Sequence, residues 1–166
     1  MSYISSNLED YLEVIGKLVT DGKSATVSAI ARIMGVSRPS VTQIVSKMIE
    51  MGLVQHVPYG DVKLTSFGEE IAQKIARRHK LLFRFLRDLL NVPPDIADKE
   101  ACEIEHSIGP ETTLRLAAFV DFIDSFHGTP EWLDHFHEFL KTNELPSICL
   151  SCKNLVENKK KNGKIK

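Results

Sequence analysis

Cysteine is scarce in this chain. There are three in 166 residues, an odd number, which excludes a secreted disulfide framework as the organising device. Long apolar runs are missing as well. No stretch approaches the roughly twenty residues that a membrane-spanning helix needs. The opening Met-Ser-Tyr-Ile-Ser-Ser-Asn has no basic segment leading into an apolar one. The expectation is a cytoplasmic protein in a reducing compartment, with no membrane partner. Internal repeats are also lacking. Neither a nucleophile elbow nor an oxyanion hole accompanies the Cys, His and Glu residues, so no enzyme and no small-molecule substrate are expected.

What is present suffices for a packed core. Hydrophobic residues make up 43% and charged residues 26%, the balance of an ordinary globular chain of one medium domain or two small ones. The net charge of −1 conceals a gradient. Residues 1–90 sum to +3, residues 91–152 to −9 and residues 153–166 to +5. A basic front suits phosphate and an acidic back suits cations.

Residues 7–20 carry an amphipathic pattern, with Leu8, Tyr11, Leu12, Ile15, Leu18 and Val19 on one side. Ser6 or Asn7 is the candidate cap. Asp10 and Glu13 stand three apart on the other side and read, by themselves, as solvated carboxylates. Next come two short helices. The first runs from Val27 to Met34 behind a Thr26 cap. The second starts after Gly35-Val36 with a Ser37 cap and Pro39 in its first turn. Two short helices around a glycine turn make a helix-turn-helix. Strands 53–57 and 62–65 then flank Pro58-Tyr59-Gly60-Asp61, a hairpin placed as a wing. Side chains of this type reach base edges and phosphates in a major groove. The candidate DNA contacts are Ser37, Arg38, Pro39, Ser40, Thr42, Gln43 and Lys47, with Tyr59 and Lys63 from the wing.

Ser66-Phe-Gly-Glu69 reads as a capping box opening a long helix that runs to about Leu90. Arg77, Arg78, Lys80, Arg84 and Arg87 line its polar surface, and His79 sits among them as an ordinary surface histidine. Val92-Pro93-Pro94 breaks the chain. Helices over about 95–108, 111–126 and 129–142 follow, the last two rich in large apolar residues that suit burial against a second copy of the chain. Cys149 and Cys152 make a CxxC, which is half of a zinc site or a redox pair, or else an unremarkable part of the tail. The Lys- and Asn-rich residues 153–166 read as a flexible tail.

The centre of the chemistry is Glu-Ala-Cys-Glu-Ile-Glu-His, residues 100–106. On a helix, Cys102, Glu105 and His106 fall at i, i+3 and i+4 and share one face. Thiolate, carboxylate and imidazole together suit a divalent transition metal, although a buried cysteine beside a solvated Glu-His pair fits the same spacing.

Taken together, four stretches carry a resemblance over about residues 5–142. They are Glu-Asp-Tyr-Leu-Glu (9–13), Ile-Ala-Arg-Ile-Met-Gly-Val-Ser-Arg-Pro-Ser-Val-Thr (30–42), Arg-Arg-His-Lys-Leu-Leu (77–82) and the Cys-Glu-Ile-Glu-His stretch. In this order they resemble the diphtheria toxin repressor and manganese transport regulator family of metal-dependent repressors. The resemblance implies a mainly α fold with a small β-hairpin wing: an N-terminal winged helix-turn-helix and a C-terminal all-helical metal-binding and dimerisation domain. The expected division is 1–65 for DNA binding, 66–91 as connecting helix, 92–145 for metal and dimerisation, and 146–166 as tail. The SH3-like domain of the larger iron-type members is not expected.

The resemblance further implies metal ligands at Asp10, Glu13, His79, Cys102, Glu105 and His106. The set is a hybrid. Iron-type members carry the cysteine but have a methionine where this chain has Asp10, and manganese-type members have a carboxylate where it has Cys102. Where iron-type members place a second-site Glu and His, this chain has Phe83 and Asp98. A thiolate favours Fe(II), Co(II) or Zn(II) over Mn(II), and the extra carboxylates pull the other way. The expected metal is Fe(II), with Mn(II) next and Co(II), Ni(II) or Zn(II) as in-vitro substitutes. The implied function is a metal-activated transcriptional repressor in metal-ion homeostasis, acting as a homodimer on a palindromic operator in double-stranded DNA. The alternative is a winged-helix regulator that senses thiol oxidation or a small organic effector.

Overall fold

The computed structural model describes residues 4–56 and 60–148. Its elements run α1 (Ser6–Thr20), α2 (Val27–Met34), α3 (Arg38–Glu50), β1 (Val54–His56), β2 (Val62–Leu64), α4 (Ser66–Arg84), a π-helical turn (Phe85–Leu89), α5 (Pro94–Glu105), α6 (Pro110–Asp124) and α7 (Glu131–Thr142). The chain divides into two compact units, one formed by the described residues up to Leu82 with Ala101–Ser107, the other by Phe83–Glu100 and the described residues from Ile108 onward.

The first unit is a winged helix. Its core is built by α1 (Leu8, Tyr11, Leu12, Ile15), α2 (Ile30), α3 (Val41, Val45, Met48), the hairpin (Val54, Val62) and α4 (Ala72, Ile75), all buried. The expected boundaries of α2 hold because local chemistry enforces them. The Thr26 side chain accepts from the Ala29 amide, and Gly35 closes the helix at a φ of 67°, which costs a residue without Cβ little. Ser37 likewise caps α3 by accepting from the Ser40 amide, with Pro39 in the first turn. The hairpin is antiparallel, pairing Val54 with Leu64 and His56 with Val62.

Two caps differ from the expectation. The N-cap of α1 is Ser5, whose carbonyl accepts from the Leu8 and Glu9 amides, and no side chain caps this end. Helix α4 is capped by Thr65 rather than through a box at Ser66. The Thr65 hydroxyl accepts from the Gly68 amide while lying 2.6 Å from the Gly52 carbonyl and 3.1 Å from that of Leu53. Its amide also donates to the Leu53 carbonyl. Tertiary bonds to the start of the wing thus fix the cap one residue early. Gly68 is required by the same seam, since a Cβ there would collide with the Leu53 carbonyl oxygen and stand 2.9 Å from its carbon.

The remaining departures are at helix ends. Helix α4 does not run on regularly to Leu90. It gives way to the π-helical turn at Phe85, where the Leu90 amide reaches back to the Phe85 carbonyl, and Asn91 in the left-handed region (φ 56°) stops it. Helix α5 ends at Glu105, short of Ile108, because the Ser107 amide bonds the Ile104 carbonyl and tightens the last turn. His106 therefore stands just beyond the helix.

In the second unit, Leu86, Leu89, Val120, Ile123 and Leu133 are buried, and Phe85 meets Phe119 edge-on at 6.3 Å. Arg84 grips Asp124 with one nitrogen at 2.8 and 3.0 Å from its two oxygens. Large apolar side chains remain exposed on α6 and α7, among them Leu114, Phe122, Trp132 and Leu140. Among the described residues, no helix is long and apolar enough to cross a membrane.

Candidate metal centre and DNA-reading face

Helix α1 buries its apolar stripe in the winged-helix core, and the helical period therefore turns Glu9, Asp10 and Glu13 to another side. Against that side stand Arg78 and His79 of α4 and the stretch Ala101–Ser107. Two groups of ligand-type atoms result. Asp10, Cys102 and His106 form one; Glu13, Cys102 and Glu105 form the other; in each, the atoms lie within 4.8 Å of one another. His79 joins through Nδ1, 3.3 Å from Glu105 Oε2. All six expected residues thus converge inside one compact unit.

The electrostatics of the cluster are uncomfortable without a cation. Glu105 is 0% exposed, yet neither of its carboxylate oxygens accepts a hydrogen bond. A buried polar group left so costs about 1–3 kcal/mol, more when charged. Nε2 of His106 lies 2.9 Å from Asp10 Oδ1 and 3.7 Å from Glu105 Oε1, again without a hydrogen bond. Burial raises the Glu13 carboxyl above its ordinary value, the Glu105 charge raises it further, and His79 and Lys17 pull it down. Atoms that share an ion at about 2.0–2.3 Å stand at most roughly 4.6 Å apart, close to the separations seen. Oxygen, nitrogen and sulfur donors in one cluster fit a first-row divalent metal.

Two residues of this site were missed at the level of sequence. Glu9 Oε2 lies 2.9 Å from His106 Nδ1 and 2.7 Å from an Arg78 terminal nitrogen. Arg78 is thus partly buried and engaged, not one of a row of solvated cations. The available signal was spacing, since Glu9 precedes Glu13 by one helical turn and Arg78 adjoins His79.

The DNA-reading candidates Ser37, Arg38, Pro39, Ser40, Thr42, Gln43, Lys47 and Lys63 are all exposed. Ser37 and Ser40 share a hydroxyl contact of 2.8 Å, and the Thr42 hydroxyl donates to the Arg38 carbonyl. Tyr59, Cys149, Cys152 and the tail beyond lie outside the described residues.

An open helix-turn-helix face with a wing, in the same unit as a partly buried thiol–carboxylate–imidazole cluster, defines a DNA-binding regulator with a candidate metal centre. Comparison with known proteins names the class. Residues 3–62 match the iron dependent repressor N-terminal DNA binding domain, and residues 65–133 match the iron dependent repressor metal binding and dimerisation domain. The transcriptional regulator MntR of Salmonella typhimurium is 37% identical over 123 residues, 74% of either chain. The diphtheria toxin repressor of Corynebacterium glutamicum is 31% identical over 130 residues, 78% of this chain and 56% of that one. A solved structure of the manganese regulator SloR superimposes with a TM-score of 0.62 at 30% identity, over 73% of this chain and 55% of its own. This chain belongs to the iron-dependent repressor family, whose members are metal-dependent transcriptional repressors controlling metal homeostasis, not enzymes. The family binds divalent metal, manganese or iron. Nothing in the comparisons favours thiol oxidation or an organic effector as the signal.

Proposed function

We propose that the chain is a metal-activated repressor whose co-repressor is held by Asp10, Glu13, His79, Cys102, Glu105 and His106. The observation that carries this reading is Glu105, a fully buried carboxylate without a hydrogen bond, in reach of a thiol, a second carboxylate and an imidazole. The bound cation supplies positive charge and coordination bonds that offset the repulsion among Asp10, Glu13 and Glu105. The residues do the rest. Asp10 and Glu13 pull α1 toward His79 and the 102–106 stretch. Helix α1 shares its core with α3, so it steadies the face bearing Arg38, Ser40, Gln43 and Lys47. A homodimer presents two such faces to the half-sites of a palindromic operator. The site of action is cytoplasmic double-stranded DNA.

The metal order is Fe(II) first and Mn(II) second, since the Cys102 thiolate is softer than the carboxylate it replaces in manganese-selective members. SloR is a manganese regulator, which keeps Mn(II) the nearest rival. The test is DNA binding by purified, chelated protein to an operator from its own upstream region. Fe(II) is titrated without oxygen, then Mn(II), Co(II) and Zn(II). Binding that appears only with metal, led by Fe(II), is expected. Binding indifferent to every metal would overturn the reading.

A further inference from the structure

We propose that Glu9, anchored by Arg78, is a positioning residue that holds His106 with its proton on Nδ1 and its Nε2 lone pair aimed into the cluster. This rests on the reading of His106 as a ligand and adds the group that orients it. Two contacts of equal length compete for the imidazole. Nδ1 stands 2.9 Å from Glu9 Oε2 with hydrogen-bond geometry. Nε2 stands 2.9 Å from Asp10 Oδ1 but makes no hydrogen bond. Glu9 Oε2 already accepts from the Arg78 guanidinium at 2.7 Å, so toward His106 it is an acceptor and Nδ1 is the donor. A neutral imidazole donating from Nδ1 has its lone pair on Nε2, toward Asp10 and, 3.7 Å away, Glu105 Oε1.

The burial of the trio makes this an ordered arrangement. The side chains of Glu9, Arg78 and His106 are 19%, 23% and 13% exposed, and they come from α1, α4 and the turn after α5. Arg78 fixes the carboxylate, and the carboxylate fixes the ring plane and tautomer. A carboxylate behind a ligating imidazole also raises its basicity, and removing such a partner typically weakens metal binding about 10–100-fold.

The test uses the full chain with ¹⁵N-labelled histidine, and its first readout is made without metal. Long-range ¹H–¹⁵N correlation spectra report which nitrogen of His106 carries the proton. Co(II) titration, followed by its visible absorption, is the second readout. In the unaltered chain the Nδ1-protonated form is expected. Glu9→Ala is expected to shift His106 to the Nε2-protonated form, alter the Co(II) bands and weaken Co(II) binding about 10–100-fold. Glu9→Gln, whose amide oxygen still accepts, is expected to keep the tautomer and most of the affinity. Tautomer and affinity must change together in Glu9→Ala; a change in only one, or in neither, overturns the proposal. If Glu9→Ala does not fold, Arg78→Met, which releases the carboxylate, is judged by the same two readouts. Failure of the unaltered chain to bind Co(II) would overturn the ligand reading of the previous section and this proposal with it, whereas Co(II) binding that leaves the Glu9→Ala tautomer unchanged would overturn only the role of Glu9.

Discussion

Nδ1 of His79 and Oε2 of Glu105 approach to 3.3 Å, one from α4 and the other from the last residue of α5, with the carboxylate wholly out of solvent. A protonated imidazole would make this an ion pair. A neutral one leaves a buried charge with little to offset it. The first prediction follows from that cost. Glu105→Gln keeps the shape and removes the charge. Metal-free, this variant should be at least as stable as the parent, with a gain of up to about 1–3 kcal/mol in urea unfolding. Its DNA binding should no longer respond to metal. A variant that is less stable without metal and still responsive would contradict both halves.

Replacing the thiol tests metal preference. Cys102→Asp exchanges the one soft donor for a hard one in a position shared by both ligand groups. Activation by Mn(II) should improve relative to Fe(II), Co(II) and Zn(II), by tenfold or so in the ratio of half-activating concentrations, about 1.4 kcal/mol. Ranking the four metals in the same DNA-binding assay checks this. An unchanged order would remove Cys102 from the selectivity argument.

The reading face yields a prediction about salt. Lys47 is exposed on α3, as are Arg38 and Gln43. Lys47→Ala should weaken binding to every sequence alike and lower the salt slope by about 1, as loss of one phosphate contact does. Gln43→Ala should leave the slope alone and relax discrimination at one base pair, by about 1–3 kcal/mol. Operator titrations at several salt concentrations separate the two outcomes.

Gly68 offers a prediction about stability. Its Cβ position is occupied by the Leu53 carbonyl, which is backbone and has little room to move. Gly68→Ala should therefore destabilise the winged helix by about 1–3 kcal/mol or more, although alanine is the better helix former. Thermal unfolding checks the sign, and a stabilised variant would refute the close packing of α4 on the start of the wing.

The helix-turn-helix was legible because its signals are local. Thr26, Gly35, Ser37 and Pro39 each act within a few residues, and the boundaries of α2 and α3 follow from them. The proposed ligand set draws in part on the spacing of Cys102, Glu105 and His106. Asp10, Glu13 and His79 carry no such signal alone, and only resemblance drew them in. What escaped depends on partners distant in sequence. Thr65 caps α4 because it is bonded to Gly52 and Leu53, and Arg78 turns inward because Glu9, 69 residues earlier, is there to receive it. The π-helical turn at Phe85 has no residue pattern that announces it, and its end is set by the unusual backbone of Asn91.

Helix α1 has two sides with different mechanical characters. Glu9, Asp10 and Glu13 are on a side of carboxylates held by polar contacts, Glu9 to Arg78 and His106 and Asp10 beside His106. Leu8, Tyr11, Leu12 and Ile15 are set into the core shared with Val41, Val45 and Met48 of α3. A protein interior packed at crystal-like density is nearly incompressible, so it does not absorb a small displacement by yielding. Under the proposed mechanism, a displacement of the carboxylate side would reach α3 with little loss of amplitude, as through a stiff gear rather than a spring. Enlarging the slack at that joint, for example with Leu12→Ala, would leave both the metal cluster and the DNA face chemically intact and yet loosen the connection between them.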